Sequence, residues 1–153
     1  MKAFTDIEQS KKLAEILPVE NADMHYVRKT CDFMGNPVNG EWSNPKYGKP
    51  NSKYANYMVQ NFTSYEKIPC WSLAALLEVL PNEISTGENF VDKYQIDIRK
   101  YDGGDGTTWY QIAYGNDRGR SGEWHDMINT GEKENIIDCC YQMIVRLKEK
   151  DLL

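Results

Sequence analysis

The sequence predicts an α+β fold: a small antiparallel sheet of three strands, with room for a fourth, packed against about three helices. Three observations predict it. Residues 93–101 and 107–114 alternate apolar and polar side chains on either side of Asp102-Gly103-Gly104-Asp105-Gly106, the pattern of a hairpin with a loop of about five residues. Ile136, Cys140, Met143 and Leu147 recur at helical spacing, flanked by Ile137 and Ile144. Nine of the eleven residues from Cys70 to Leu80 are apolar, a run that belongs in a core and falls short of the roughly 20 residues a membrane span takes.

In chain order, Thr5-Asp6-Ile7-Glu8 fits a capping box, with the Thr5 hydroxyl and the Glu8 carboxylate each closing on the other's backbone. The helix that follows runs through Leu17, buries Ile7, Leu13, Ile16 and Leu17, and stops at Pro18. Met24 to Arg28 reads as a short strand. The apolar run ending at Pro81 reads as a buried helix with Leu73, Leu76, Leu77 and Leu80 inward and Glu78 toward water. In the hairpin, Tyr94, Ile96 and Ile98 share one face of the first strand; Tyr110 and Ile112 share one face of the second. A glycine-bearing turn, 115–122, leads to a third strand at Glu123 to Ile128. Asn129 or Thr130 is the expected cap of a last helix of about 18 residues, roughly 27 Å at 1.5 Å per residue.

With 153 residues, a single domain spanning 1–153 is the expectation. It carries an irregular insertion, rich in aromatics and lysine, at about 30–62. Pro37, Pro45 and Pro50 with Gly35, Gly40 and Gly48 erase any period there, and so long a structureless connection is usually functional. Cys31, Cys70, Cys139 and Cys140 lack the Cys-x-x-Cys spacing of zinc or redox motifs and are expected to be reduced, mostly buried small hydrophobes. Met1 to Asp6 lacks the apolar core of a signal peptide and no later run reaches the length of a membrane span, so a cytoplasmic protein without a membrane association is the expectation.

The net charge of −5 opposes general nucleic-acid binding, but residues 25–67 carry six Lys and Arg against three Asp and Glu. Within that one net-positive segment lie the candidate binding residues Trp42, Tyr47, Lys49, Lys53, Tyr54 and Tyr57. Aromatics interleaved with lysine hold single-stranded nucleic acid by stacking, and Tyr and Trp anchor protein interfaces. The acidic remainder repels a polyanion, so a protein partner ranks ahead of a nucleic acid.

Catalytic readings are weaker. Asp102-Gly103-Gly104-Asp105-Gly106 lacks the oxygen ligand at position 3 that a calcium loop requires. His125-Asp126 with Cys139 or Cys140 suggests a small Cys/His hydrolase, but both cysteines sit on an otherwise apolar helix. No cofactor or metal is expected, and a non-enzymatic binding or accessory protein leads over a nucleic-acid accessory and over the hydrolase.

Ile68-Pro69-Cys70-Trp71-Ser72-Leu73-Ala74-Ala75-Leu76-Leu77-Glu78-Val79-Leu80-Pro81, the early Leu13-Ala14-Glu15-Ile16-Leu17-Pro18, and the stretch from Trp124 to Tyr141 resemble small proteins encoded in gut-bacterial genomes, prophages and phages. The resemblance covers the helices and the hairpin and leaves residues 30–62 individual to this chain. It implies a mobile-element origin and carries over no catalytic residue.

Overall fold

A computed structural model describes residues 2–48, 64–87, 93–117 and 124–153. Its elements in order are α1 (Ile7–Ile16), a 3-10 turn (Val19–Asn21), β1 (Met24–Lys29), β2 (Lys46–Tyr47), β3 (Tyr65–Cys70), α2 (Leu73–Val79), β4 (Glu83–Ser85), β5 (Lys93–Asp102), β6 (Thr108–Asp117), β7 (Trp124–Asn129) and α3 (Ile136–Glu149). The strands form two antiparallel sheets, ordered β2-β1-β3 and β4-β5-β6-β7. The α+β class with three α-helices holds, and the expected three-to-four-stranded sheet is the second of these. Of the first, only β1 was foreseen, as the short strand at Met24 to Arg28. The chain divides into two compact units, Phe4–Ala75 in one and Met1–Ala3 with Leu76–Leu153 in the other.

The unit from Phe4 to Ala75 closes on the face of β1 and β3 where Met24 opposes Cys70 and Tyr26 opposes Ile68. Those four side chains are buried, with Phe4, Ile7 and Trp42 packed against them. The capping box sits one residue later than expected. Asp6 accepts from the Gln9 backbone and the Gln9 side chain closes back on Asp6. Thr5 is unavailable because it is fully buried. Its hydroxyl accepts from the Trp71 N–H at 3.1 Å and shares a hydrogen bond with Ser10 at 2.8 Å, while its carbonyl accepts from the Tyr26 hydroxyl at 2.7 Å.

The helix expected from Cys70 is likewise shortened. Ile68-Pro69-Cys70 is the end of strand β3, paired with β1, and helix begins only at Leu73. Proline is tolerated because β3 is an edge strand, where its missing N–H breaks no ladder. Ser72, held by Asp23, accepts from the Ala75 N–H and opens α2. With the start moved, Leu76 and Leu80 form the inward stripe and Leu73 is half-buried, whereas Leu77 lies beside Glu78 with 37% of its surface exposed.

In the unit completed by α3, β5 and β6 pair from Gln95–Gly115 to Asp102–Thr108, and Gly103 N–H to Thr107 O closes the five-residue loop. Helix α3 packs on β6 and buries Ile136, Ile137, Cys139, Cys140, Met143, Ile144 and Leu147. On the face that Tyr94, Ile96 and Ile98 share, Tyr94 is buried, Ile96 is half-buried and Ile98 is 47% exposed. The α3 cap is Asn135, neither Asn129 nor Thr130, and the helix has 14 residues. Thr130 is engaged elsewhere: its hydroxyl accepts from the Ile112 N–H and donates to Gly131 O.

Candidate functional site

Residues 30–48, read from sequence as irregular, are tied to β1. Val38 N–H donates to Thr30 O, Gly40 N–H to Lys29 O and Ser43 N–H to Val27 O, so the chain runs back along the strand it has just left. Trp42 lies on that return. It is half-buried against the Met24–Tyr26–Ile68–Cys70 cluster, with the Arg28 guanidinium carbon 4.8 Å from its ring centroid. Arg28 in turn donates to Glu66 at 2.5 Å, so its charge is matched within the unit. Tyr47 ends the return. It pairs with Met24 and keeps 81% of its surface exposed. Its neighbour Gly48 is pinned through N–H to Asp23 O at 2.9 Å and through its carbonyl to His25 Nδ1 at 3.0 Å. Lys49, Lys53, Tyr54 and Tyr57 lie outside the described residues. Of the predicted binding residues the structure thus places two: Trp42 as a packed ring and Tyr47 as a free one.

At the turn of this return sits a feature that the sequence reading passed over. Asp32 Oδ1 accepts from the Met34 N–H at 2.8 Å and the Asn36 N–H at 2.9 Å, and Oδ2 accepts from Asn36 Nδ2 at 3.1 Å. Asp32 N–H donates to Asn36 O and Gly35 N–H to Asp32 O, with Gly35 in the left-handed region at φ +80°. These hydrogen bonds, Asn36 first, hold the Asp32 carboxyl below the usual carboxylate range, with Lys29 adding a smaller pull. The turn so fixed presents Phe33 and Met34, 69% and 71% exposed. Asp32-x-x-Gly35-Asn36 was the available signal, since these residues carry turn chemistry.

The hydrolase constellation does not assemble as chemistry. Cys139 and Cys140 are both fully buried, and loss of solvent raises both thiols, Cys140 to about 12. Cys139 Sγ–H donates to Tyr110 O. A nucleophilic cysteine needs a lowered pKa and access, and these two have neither. Asp126 is held by Arg99 and also accepts from Trp124 Nε1 at 2.8 Å. Arg99 further donates from Nε to Asp97 at 2.6 Å and from Nη1 to Gln111 at 3.0 Å. This network lies on strands β5, β6 and β7. A cavity of about 300 Å³ beside it is lined by Tyr94, His125, Asp126 and Met127. In the loop 103–107, Asp102 and Asp105 accept from the backbone of Gly104 and Thr107, the bonds of a tight turn. Among the described residues no three His, Cys, Asp or Glu side chains gather where they could hold a metal ion. Among them, too, no helix is long and apolar enough to cross a membrane.

No protein family matches the chain, and neither a curated protein nor a solved structure matches it.

Proposed function

We propose that the protein is a non-enzymatic accessory protein that acts in the cytoplasm by binding another protein through the surface around Tyr47. The exposure of Tyr47 carries this reading. A large amphipathic ring is held clear of the core, on backbone pinned through Gly48 on both its N–H and its carbonyl. With the neighbouring backbone held, docking costs such a tyrosine mainly the freedom of its own side chain, and tyrosines anchor protein interfaces well. Charge supports a protein over a nucleic acid, because Arg28 is matched by Glu66 and the whole chain is acidic. Trp42, packed against the Met24–Tyr26–Ile68–Cys70 cluster, belongs to the core of the unit and is left out of that surface. The resemblance to proteins of prophages and phages makes the partner a protein of the element or of its host.

The test is affinity capture from the native host with and without phage induction, followed by titration of the purified partner. Tyr47→Ala is expected to weaken binding by about 1 kcal/mol or more, with modest salt dependence. Affinity that falls steeply with salt would replace the protein by a nucleic acid. Unchanged affinity for Tyr47→Ala would remove this surface from the function.

A further inference from the structure

We propose that the face of the β4-β5-β6-β7 sheet carrying Trp124, Tyr101 and Trp109 is a binding platform for a neutral, β-linked polysaccharide. Alternation and register gather these rings. Asp97, Arg99 and Tyr101 of β5 pair with Ala113, Gln111 and Trp109 of β6, and Gly115 and Asp117 pair with Asp126 and Trp124 of β7, so all share one face. The opposite face carries Ile112, Tyr114 and Ile128, all buried. Among the described paired positions of the platform face, Ala113 is the one aliphatic side chain, and it is fully covered. The rest is aromatic ring, amide and charge.

Each ring is fixed through its polar edge. Trp124 Nε1 donates to Asp126 Oδ1 at 2.8 Å, the Tyr101 hydroxyl to Gln111 Oε1 at 3.1 Å, and Trp109 Nε1 to Thr107 Oγ1 at 3.1 Å. The Trp124 indole lies on Gly115, where any β-carbon would displace it, and keeps 39% of its surface open; Tyr101 keeps 38%. A ring laid on a sheet offers its π-face, whereas an anchor for a protein cleft projects, as Tyr47 does. The negative π-face attracts the C–H hydrogens of a pyranose, and the hydroxyls around the sugar exchange hydrogen bonds with Asp97, Gln111 and Asp126.

Charge and spacing select the ligand. From Glu83 to Asn129, loops included, nine Asp and Glu stand against five Lys and Arg. On the face itself Arg99 is tied to Asp97 and Asp126, and Lys93 to Glu83. That balance repels nucleic acid and acidic glycans and leaves a neutral saccharide unopposed. Trp109 and Gly115, on which Trp124 lies, are separated by roughly 20 Å of strand. Platforms so spaced on one face suit an extended chain of several sugars, the form that β-1,4-linked polymers take. The surface is separate from that around Tyr47, which belongs to the other sheet.

The experiment is affinity electrophoresis of the full chain through native gels cast with hydroxyethylcellulose, xylan or galactomannan. Calorimetric titration follows, with the β-1,4-linked hexasaccharide that matches the retarding polymer. Retardation is expected in at least one gel, and the corresponding monosaccharide is expected to bind about tenfold more weakly than the hexasaccharide, or worse. Trp124→Ala is expected to weaken hexasaccharide binding by about tenfold or more. Because that variant also loses a ring packed on Gly115, Tyr101→Ala is measured beside it; its exposed ring should leave the melting temperature unchanged and binding several-fold weaker. Tyr47→Ala is expected to bind the saccharide as the parent does, so failure of the Tyr47 surface and failure of this one are told apart. The platform is overturned by the absence of retardation in all three gels, or by saccharide binding that survives either ring substitution. Trp124-dependent binding of single-stranded oligothymidine would also overturn it, in favour of base stacking.

Discussion

The guanidinium of Arg99 holds the carboxylate of Asp126 by both oxygens, Nη1 to Oδ2 at 3.0 Å and Nη2 to Oδ1 at 2.7 Å. The pair joins β5 to β7 across the intervening strand. The hydrogen bonds from Arg99 keep the Asp126 carboxyl below the usual range, and the reciprocal contact raises Arg99. Arg99→Ala is expected to cost about 1–2 kcal/mol, a charge-assisted bond discounted for its surface position. The pH dependence follows from the lowered carboxyl. The stabilisation is complete above the unfolded-state value of about 3.9 and fades as pH falls through the lower folded value. Melting temperatures of the parent and Asp126→Asn should therefore differ by a constant amount from pH 7 to 5 and converge in stronger acid. A gap that shrinks between pH 7 and 5 would contradict this assignment.

Gly115 lies under the Trp124 indole, at the register shift between β6 and β7. An added β-carbon there meets Trp124 Nε1 and comes within 2.6 Å of the His125 carbonyl oxygen. The ring can swing away, but the backbone oxygen belongs to the paired strand. Gly115→Ala is expected to cost about 1–3 kcal/mol as an overpacked site and to shift the fluorescence of Trp124. Denaturation followed by tryptophan emission checks both. A stable variant with unchanged emission would mean that the edge strand accommodates the methyl group freely.

The cysteines give a third expectation. Cys70, Cys139 and Cys140 are buried with raised pKa values, while Cys31 is only partly covered. A thiol reagent added to the native protein at pH 8 should label Cys31 first and the other three only on unfolding. Cys139→Ser and Cys140→Ser should lower stability before they alter any binding. Fast native labelling of Cys139 or Cys140 would revive a nucleophilic role.

The parts of the fold legible in the sequence are those whose signal is local. Alternation across Gly103-Gly104 finds β5 and β6 because successive strand side chains face opposite ways, and the Ile136–Leu147 stripe finds α3. The same local rules misplace the boundary after Ile68. A run that is apolar throughout looks alike as strand or helix, and pairing with β1 decides it for Ile68, Pro69 and Cys70. Ile98 fits the alternation and is nonetheless 47% exposed, because alternation assigns a face and not what covers it. Of the sites, Tyr47 was visible as an aromatic in a positive segment. The exposure of Phe33 and Met34 was not, since their chemistry alone suggests burial, and the Arg99–Asp126 pair needs the three-strand register before it can be seen.

The start of α1 offers the sharpest discrimination. Both Thr5-x-x-Glu8 and Asp6-x-x-Gln9 satisfy the local capping pattern, and the structure uses the second. Glu8 makes only an exposed ion pair with Lys11 at 2.8 Å. Glu8→Ala is therefore expected to change stability by no more than about 0.5 kcal/mol. Asp6→Ala, which removes the cap, is expected to cost about 1 kcal/mol. Thr5→Val keeps the volume of a fully buried side chain and deletes the hydroxyl that serves Trp71 N–H and Ser10. Two buried polar groups are left without that partner, and the expected cost is about 1–3 kcal/mol. Chemical denaturation of the three variants ranks them Thr5→Val above Asp6→Ala above Glu8→Ala. If Glu8→Ala proved as damaging as Asp6→Ala, the cap would sit at Thr5 after all, and the link from Thr5 to Trp71 that closes this unit would have to be abandoned with it.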